Sequence, residues 1–263
     1  MARIFILGWF LMGLLPVAWS QSAPQVVDIP TRPGVTQRFL YQSPPAPRAA
    51  VVLIAGGHGG LQITSAGSFR WGADNFVVRT RDLYVQQGLA FAVVDAPSDR
   101  QSKPYLSGYR QTAEHVADIK AVIVWLRAKN PGPVWLVGTS MGTLSTAYVA
   151  TQLSIKDGGP DGVVLTSSIL DGSMGLRPVQ AMPLEQITAP VLVVHHEEDG
   201  CKYCPFSATG SLMGKLVATP RKALLSFKGG MESGDPCYEW GYHGFNGQEA
   251  AVVQGIADWI KAR

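Results

Sequence analysis

Short apolar runs bounded by Gly, Pro or Asp recur along most of the chain and set the strongest limit on its fold. They occupy residues 50–55, 90–95, 134–138, 162–166 and 190–195, with a further one at 222–227. Continuous apolarity is what a strand buried on both faces requires, whereas a half-buried strand alternates. Between the runs, residues 110–129 carry Val116, Ile119, Val122, Ile123 and Leu126 along one helical face. Residues 141–152 are a second helical stretch, and 248–262 repeat the pattern with Val252, Val253, Ile256, Trp259 and Ile260. This alternation predicts an α/β fold: a mostly parallel central sheet with helices on both faces. No internal repeat or interdomain linker interrupts it, and 263 residues that are 46% hydrophobic suffice for one core. A single domain over residues 48–263 is therefore expected.

Residues 21–47 read differently. Pro24, Pro30, Pro33, Pro44, Pro45 and Pro47 break them up, with β-like pieces only at 25–29 and 37–41, so an exposed lead-in with edge strands is expected. Residues 1–20 read as an export signal: Arg3 supplies the positive start, residues 4–17 are almost uninterruptedly apolar, and Ala18-Trp19-Ser20 offers a cleavage site before Gln21. An uncleaved membrane anchor is the competing reading; Gly8, Gly13 and Pro16 favour the signal. No other stretch is long and apolar enough to cross a membrane, so a periplasmic or secreted protein without stable membrane insertion is expected. The net charge is +3, and removing Arg3 with its segment leaves 21 basic against 19 acidic residues. That is too slight for a nucleic-acid partner. Nothing in the sequence fixes an oligomeric state. After export, Cys201, Cys204 and Cys237 would make one disulfide and leave one thiol, with three pairings open.

Gly138-Thr139-Ser140-Met141-Gly142 gains its meaning from its place, because a Gly-x-Ser-x-Gly pattern is short enough to arise by chance. It joins the strand at 134–138 to the helix at 141–152, the strand-turn-helix of a nucleophile elbow. There the serine backbone is strained, and Gly138 and Gly142 would remove collisions with neighbouring backbone. Ser140 then sits at a helix N-terminus, where the Met141 N–H becomes one oxyanion donor. The plainer reading is a Gly-rich cap in which Ser140 only satisfies helix N–H groups. A second donor is expected from Ala55-Gly56-Gly57-His58-Gly59-Gly60, the loop after the first central strand, with Gly57 the first choice and His58 the second. A flexible connector is the alternative for that loop.

Gly-Gly-x-Gly after one strand, Gly-Thr-Ser at the elbow and a terminal His243-Gly244-Phe245 make the chain, from about residue 48 to its end, resemble the α/β-hydrolases, particularly small exported bacterial members. The resemblance implies the α/β-hydrolase fold without a large cap domain, and a catalytic order of serine, acid and histidine. His243, in the loop before the last helix, matches the family's general base. Of the other histidines, His58 lies in the glycine loop, His115 begins a helix, and His195 and His196 end a strand. Asp199, in His196-Glu197-Glu198-Asp199-Gly200, matches the usual position of the acid that fixes the histidine tautomer. Asp171, after the preceding strand, is the rival, because some members place the acid there. The implied activity is cleavage of a small or short polymeric carboxylic ester through an acyl-enzyme, with no cofactor and no metal. A peptidase or amidase with the same triad, or a non-catalytic exported binding protein, are the other readings.

Cys201-Lys202-Tyr203-Cys204 has redox-motif spacing but opens no thioredoxin-like unit. Cys201, Cys204, Cys237 and His243 could supply four zinc ligands on paper, at the cost of the catalytic base. The small exported relatives resemble an arrangement with a Cys201–Cys237 bridge, which would join the acid and histidine loops and leave Cys204 as the odd thiol. Closing such a loop contributes roughly 3 to 4 kcal/mol. Phe69, Trp71, Tyr105, Tyr109, Trp240 and Tyr242 lie in loops that should surround the pocket, as a substrate wall or as packing. Residues 167–189 are too few for a helical cap but enough for a small flap, apolar through Met174, Leu176, Val179, Met182 and Leu184. Asp95 and Asp99 read as turn formers.

Overall fold

The computed structural model describes residues 22–172 and 177–262. The expected export signal, and Met174 and Leu176, lie outside the described residues. Eight strands form one sheet: β1 (Gln25–Arg32), β2 (Val35–Gln42), β3 (Ala49–Ile54), β4 (Leu89–Val94), β5 (Val134–Thr139), β6 (Gly162–Thr166), β7 (Val191–His196) and β8 (Lys222–Phe227). Their spatial order is β1-β2-β4-β3-β5-β6-β7-β8. The pairs β1–β2 and β2–β4 are antiparallel, and all pairs from β4 across to β8 are parallel. The helices are α1 (Phe76–Arg79), α2 (Arg81–Gln86), α3 (Ala113–Lys129), α4 (Gly142–Gln152), α5 (Thr209–Lys215) and α6 (Glu249–Lys261). Among the described residues no helix is long and apolar enough to cross a membrane.

Both faces of the sheet are covered. Along β3, Ala50, Val52 and Ile54 pack with Val116, Ile119, Ile123 and Leu144 of α3 and α4, while Ala49, Val51 and Leu53 pack with Phe76, Tyr84, Val252 and Ile256 of α1, α2 and α6. Six consecutive buried residues on one strand therefore serve two cores, which explains the unbroken apolar run. The strand at 222–227 is the exception. β8 is the far edge of the sheet and alternates exposed with partly buried positions, so Lys222, Leu224 and Ser226 face outward.

At the other edge, the lead-in folds back as a β1–β2 hairpin turning at Gly34, whose φ of +71° suits glycine. β1 is the outermost strand, which is why Pro30 can sit inside it without an inner partner losing a hydrogen bond. β2 lies one place further in, between β1 and β4. α3 starts three residues later than the apolar spacing suggests, because Thr112 caps it, its hydroxyl accepting from the His115 N–H at 3.2 Å.

Residues 167–189 form no flap among their described part. Val179, Met182 and Leu184 are buried in the core beside α4, because an apolar segment this short gains more by packing there than by standing over a cavity. The strand register sets up the site. Ile54 pairs with Gly138, Thr139 with Thr166, and Thr166 with Val194, so the chain leaves β3, β5, β6 and β7 at one level along one edge of the sheet.

Candidate active site

Ser140 is the hinge between β5 and α4. Its φ is +51°, a left-handed conformation that a residue with a side chain rarely adopts. The neighbours leave the chain little alternative. A Cβ on Gly142 would collide with the Ile54 carbonyl, and one on Gly138 would collide with Thr146 Oγ1 and lie 2.6 Å from the Gly142 carbonyl oxygen. The turn is pinned by the Ser140 N–H donating to Thr166 O at 3.0 Å, and by Thr143, whose hydroxyl donates to Ser140 O at 2.6 Å. Met141 opens α4, so its N–H is among those a helix cannot satisfy internally.

The glycine loop after β3 packs directly against the elbow. A Cβ on Gly56 would come within 3.0 Å of the Ser140 Cβ, and one on Gly57, where φ is +54°, within 2.5 Å of the Trp71 ring. Both ends of the loop are clamped. Asp95 accepts from the N–H groups of Leu61, Gln62, Ile63 and Ala96 at 2.7 to 3.0 Å. It is thus an anchor for the loop as well as a strand-end residue. Arg110 donates to the carbonyls of Ala55, Gly56 and Gly57. The His58 ring is sandwiched between Trp71 and Tyr105, with centroids 3.8 and 4.3 Å away, and its Nδ1 accepts from the Gly60 N–H. Burial, with Arg110 nearby, lowers its pKa.

The acid and base meet across the same edge. His243 Nδ1 lies 2.9 Å from Asp199 Oδ2, and both side chains are buried. The other carboxylate oxygen accepts from the Cys201 N–H at 2.9 Å, so Asp199 is held on both sides. His243 is held from behind by Ser167, whose hydroxyl donates to the His243 carbonyl at 2.7 Å. His243 Nε2 is buried without a hydrogen-bond partner, and His243 and Ser140 line one cavity of about 250 Å³. In ligand-free sites the serine–histidine bond is commonly unformed. Asp171 is not on the histidine; its backbone N–H donates to the Tyr203 carbonyl. His195 is fully buried with its pKa lowered by burial, and His196 stacks on Tyr242 and bonds Gly229 O.

Cys201 and Cys237 are joined in a disulfide, and both line the cavity. Cys204 keeps a buried thiol whose pKa is pushed up by burial. Ligand atoms of Cys201, Cys204 and His243 lie within 4.8 Å of one another. The Cys201 sulfur is spent in the disulfide, however, so one thiol and one imidazole remain, fewer than a zinc site takes from protein.

Of the expected aromatic wall, Trp71 lines the cavity, joined by Phe76, Tyr203 and Tyr238. Tyr105 stacks on His58, Tyr109 donates to Asp118, Phe69 lies under Arg81, and Trp240, which is exposed, lies under Arg79; none of the four lines the cavity. Asp99, read as a turn former, also accepts two-pronged from Arg32. Besides the rings of Phe76, Tyr203 and Tyr238, the residues Arg110, Ser167 and, as a loop anchor, Asp95 escaped the sequence reading as parts of the site. The last three act on backbone atoms, which leave no spacing pattern.

No protein-family model matches the sequence, and no curated protein matches it. Solved structures do. A cold-adapted esterase from an Arctic intertidal metagenomic library is 19% identical, with a TM-score of 0.57 over 96% of this chain and 99% of that one. An esterase of Pyrococcus furiosus is 14% identical, with a TM-score of 0.64 over 96% of each chain. Dienelactone hydrolase of Anabaena variabilis is 15% identical, with a TM-score of 0.58 over 90% of this chain and 96% of that one. With its mostly parallel sheet, flanking helices and, among the described residues, no large cap, the chain has the α/β-hydrolase fold.

Proposed function

We propose that the protein is a serine hydrolase that cleaves carboxylic esters through an acyl-enzyme. The observation that carries this reading is the buried Asp199–His243 pair, whose free Nε2 shares a cavity with a serine held at a strained elbow. Asp199 accepts from Nδ1–H and so leaves Nε2 as the basic nitrogen. His243 takes the Ser140 proton as Ser140 Oγ attacks the ester carbonyl. The N–H groups of Met141 and Gly57 receive the oxyanion, His243 returns the proton to the leaving alcohol, and water reverses the sequence to free the acid. None of these steps needs a cofactor.

The cavity is small and mostly apolar, with Trp71, Phe76, Ile169 and Tyr203 in its wall, which suits a short acyl group or one segment of a longer ester. Residues 1–20 would direct export and be removed, leaving a protein whose disulfide suits an oxidising compartment.

A panel of acyl esters of graded length, each matched by an amide, tests the reading. Short esters are expected to turn over fastest and amides slowly or not at all, with Ser140→Ala inactive. Faster amide cleavage would mean a peptidase or amidase; no turnover by folded protein would leave the binding-protein reading.

A further inference from the structure

Arg110, in the connection between β4 and α3, is only 3% exposed, and every hydrogen-bond partner of its guanidinium is neutral. Burying a charge without a carboxylate is costly, so the position asks what the charge does. Nη2 donates to the carbonyls of Ala55 at 3.0 Å, Gly56 at 3.4 Å and Gly57 at 3.1 Å. Nη1 donates to Ser145 Oγ at 3.0 Å, and Ser145 lies on α4, one turn beyond Met141. A Cβ on Gly59 would come within 2.5 Å of Nη2, so the third glycine of the loop makes room for the guanidinium.

A trans peptide carries its C=O and its N–H on opposite sides. With the carbonyls of Gly56 and Gly57 turned onto Arg110, the N–H groups of Gly57 and His58 are turned away from it. Gly57 lines the cavity and Gly56 abuts Ser140, so the loop that Arg110 holds borders the reacting groups. Arg110 thus reaches both halves of the anion site: the glycine loop through three carbonyls, and the elbow helix through Ser145.

We propose that Arg110 is a positioning residue of the oxyanion hole, locking the glycine-loop peptides with their N–H groups toward the reacting carbonyl and tying that loop to the Ser140 helix. The inference rests on the ester-hydrolase reading. Its charge, fixed behind the donors in a site of low dielectric, favours the developing oxyanion more than the neutral ester.

The test is steady-state kinetics of Arg110→Lys, Arg110→Met and Ser145→Ala, with circular dichroism and thermal midpoints as fold controls. Each is also titrated with a trifluoromethyl ketone, whose hydroxyl-serine adduct carries the oxyanion. Loss of one oxyanion donor costs about a hundredfold or more in kcat, and Arg110→Met should approach that with KM little changed. Its ketone inhibition constant should rise by a similar factor. Arg110→Lys should recover about tenfold of the loss, and Ser145→Ala, which stays folded as a helical alanine, should show the same pattern at a few-fold.

Folded variants with unchanged kcat, or a loss confined to KM, would overturn the proposal. So would a kcat loss with ketone affinity untouched. If Arg110→Met does not fold, Arg110→Lys and Ser145→Ala decide by the same criteria. A wild-type protein that neither cleaves esters nor binds the ketone fails the ester-hydrolase reading itself and takes this proposal with it; an active wild type with unaffected variants fails this proposal alone.

Discussion

The surroundings of Asp199 leave its carboxylate little freedom. One oxygen faces the His243 Nδ1 and the other the Cys201 N–H, so it must accept on both sides. An asparagine can accept on only one, and its NH2 would face a donor or force His243 into the wrong tautomer. If the proposed triad operates, Asp199→Asn is expected to lose about 10⁴-fold in kcat, the scale of making the acid of a Ser-His-Asp triad an amide. Asp171→Asn should stay near wild type. Steady-state rates of the two variants check this, and the opposite ranking would move the acid to Asp171. The placing of Asp199 beside His243, and of Ser140 at the β5–α4 turn, was legible in the sequence because each follows or precedes an element at a recognisable offset. Arg110 was not. Its partners in the glycine loop lie 53 to 55 residues earlier and are carbonyl oxygens, which every residue type supplies, and its side-chain partner, Ser145, lies 35 residues later on another element.

At the level of elements, the disulfide joins the loop after β7 to the loop before α6 across a sequence separation of 36. In the chain-entropy description, closing such a loop stabilises by about 4 kcal/mol. The same bond fixes the Cys201 N–H that orients Asp199. A Cys201→Ser/Cys237→Ser protein should therefore melt well below wild type and lose about tenfold in kcat, as small displacements of reacting groups do. Calorimetry and kinetics on the same preparation check both; an unchanged melting temperature would show the bond to be unimportant for stability. Central strands were legible to within a residue, because burial on both faces leaves an unbroken apolar run. The segment at 167–189 was misread, because apolar content alone does not tell a flap from a packed connection. Val179, Met182 and Leu184 take the second course.

For the whole molecule, the order of the strands and the placing of the aromatic rings were beyond reach of the sequence, since both depend on which surfaces meet after folding. Folding also buries His115, both of whose ring nitrogens lack partners. Burial, with Arg110 and Arg32 nearby, lowers its pKa from 6.5 to about 3. Between those values the unfolded chain binds the proton and the folded chain does not, so stability is complete above pH 6.5 and falls as the pH drops toward 3. The limiting slope is about 1.4 kcal/mol per pH unit. His115→Phe keeps a ring against Tyr109 and removes the titration, so urea unfolding at pH 7 and pH 5 should show wild type losing about 2 kcal/mol more than the variant. Equal losses would mean that another group governs the acid limb.

On the proposed reading the molecule carries one nucleophile, Ser140, and covalent labelling would reach it without knowledge of the substrate. Folded protein is exposed to a fluorophosphonate, weighed intact and mapped by peptide. A single adduct on Ser140 is predicted, absent from Ser140→Ala and from heat-unfolded protein. No adduct on folded wild type, or an adduct on a different serine, would contradict the account.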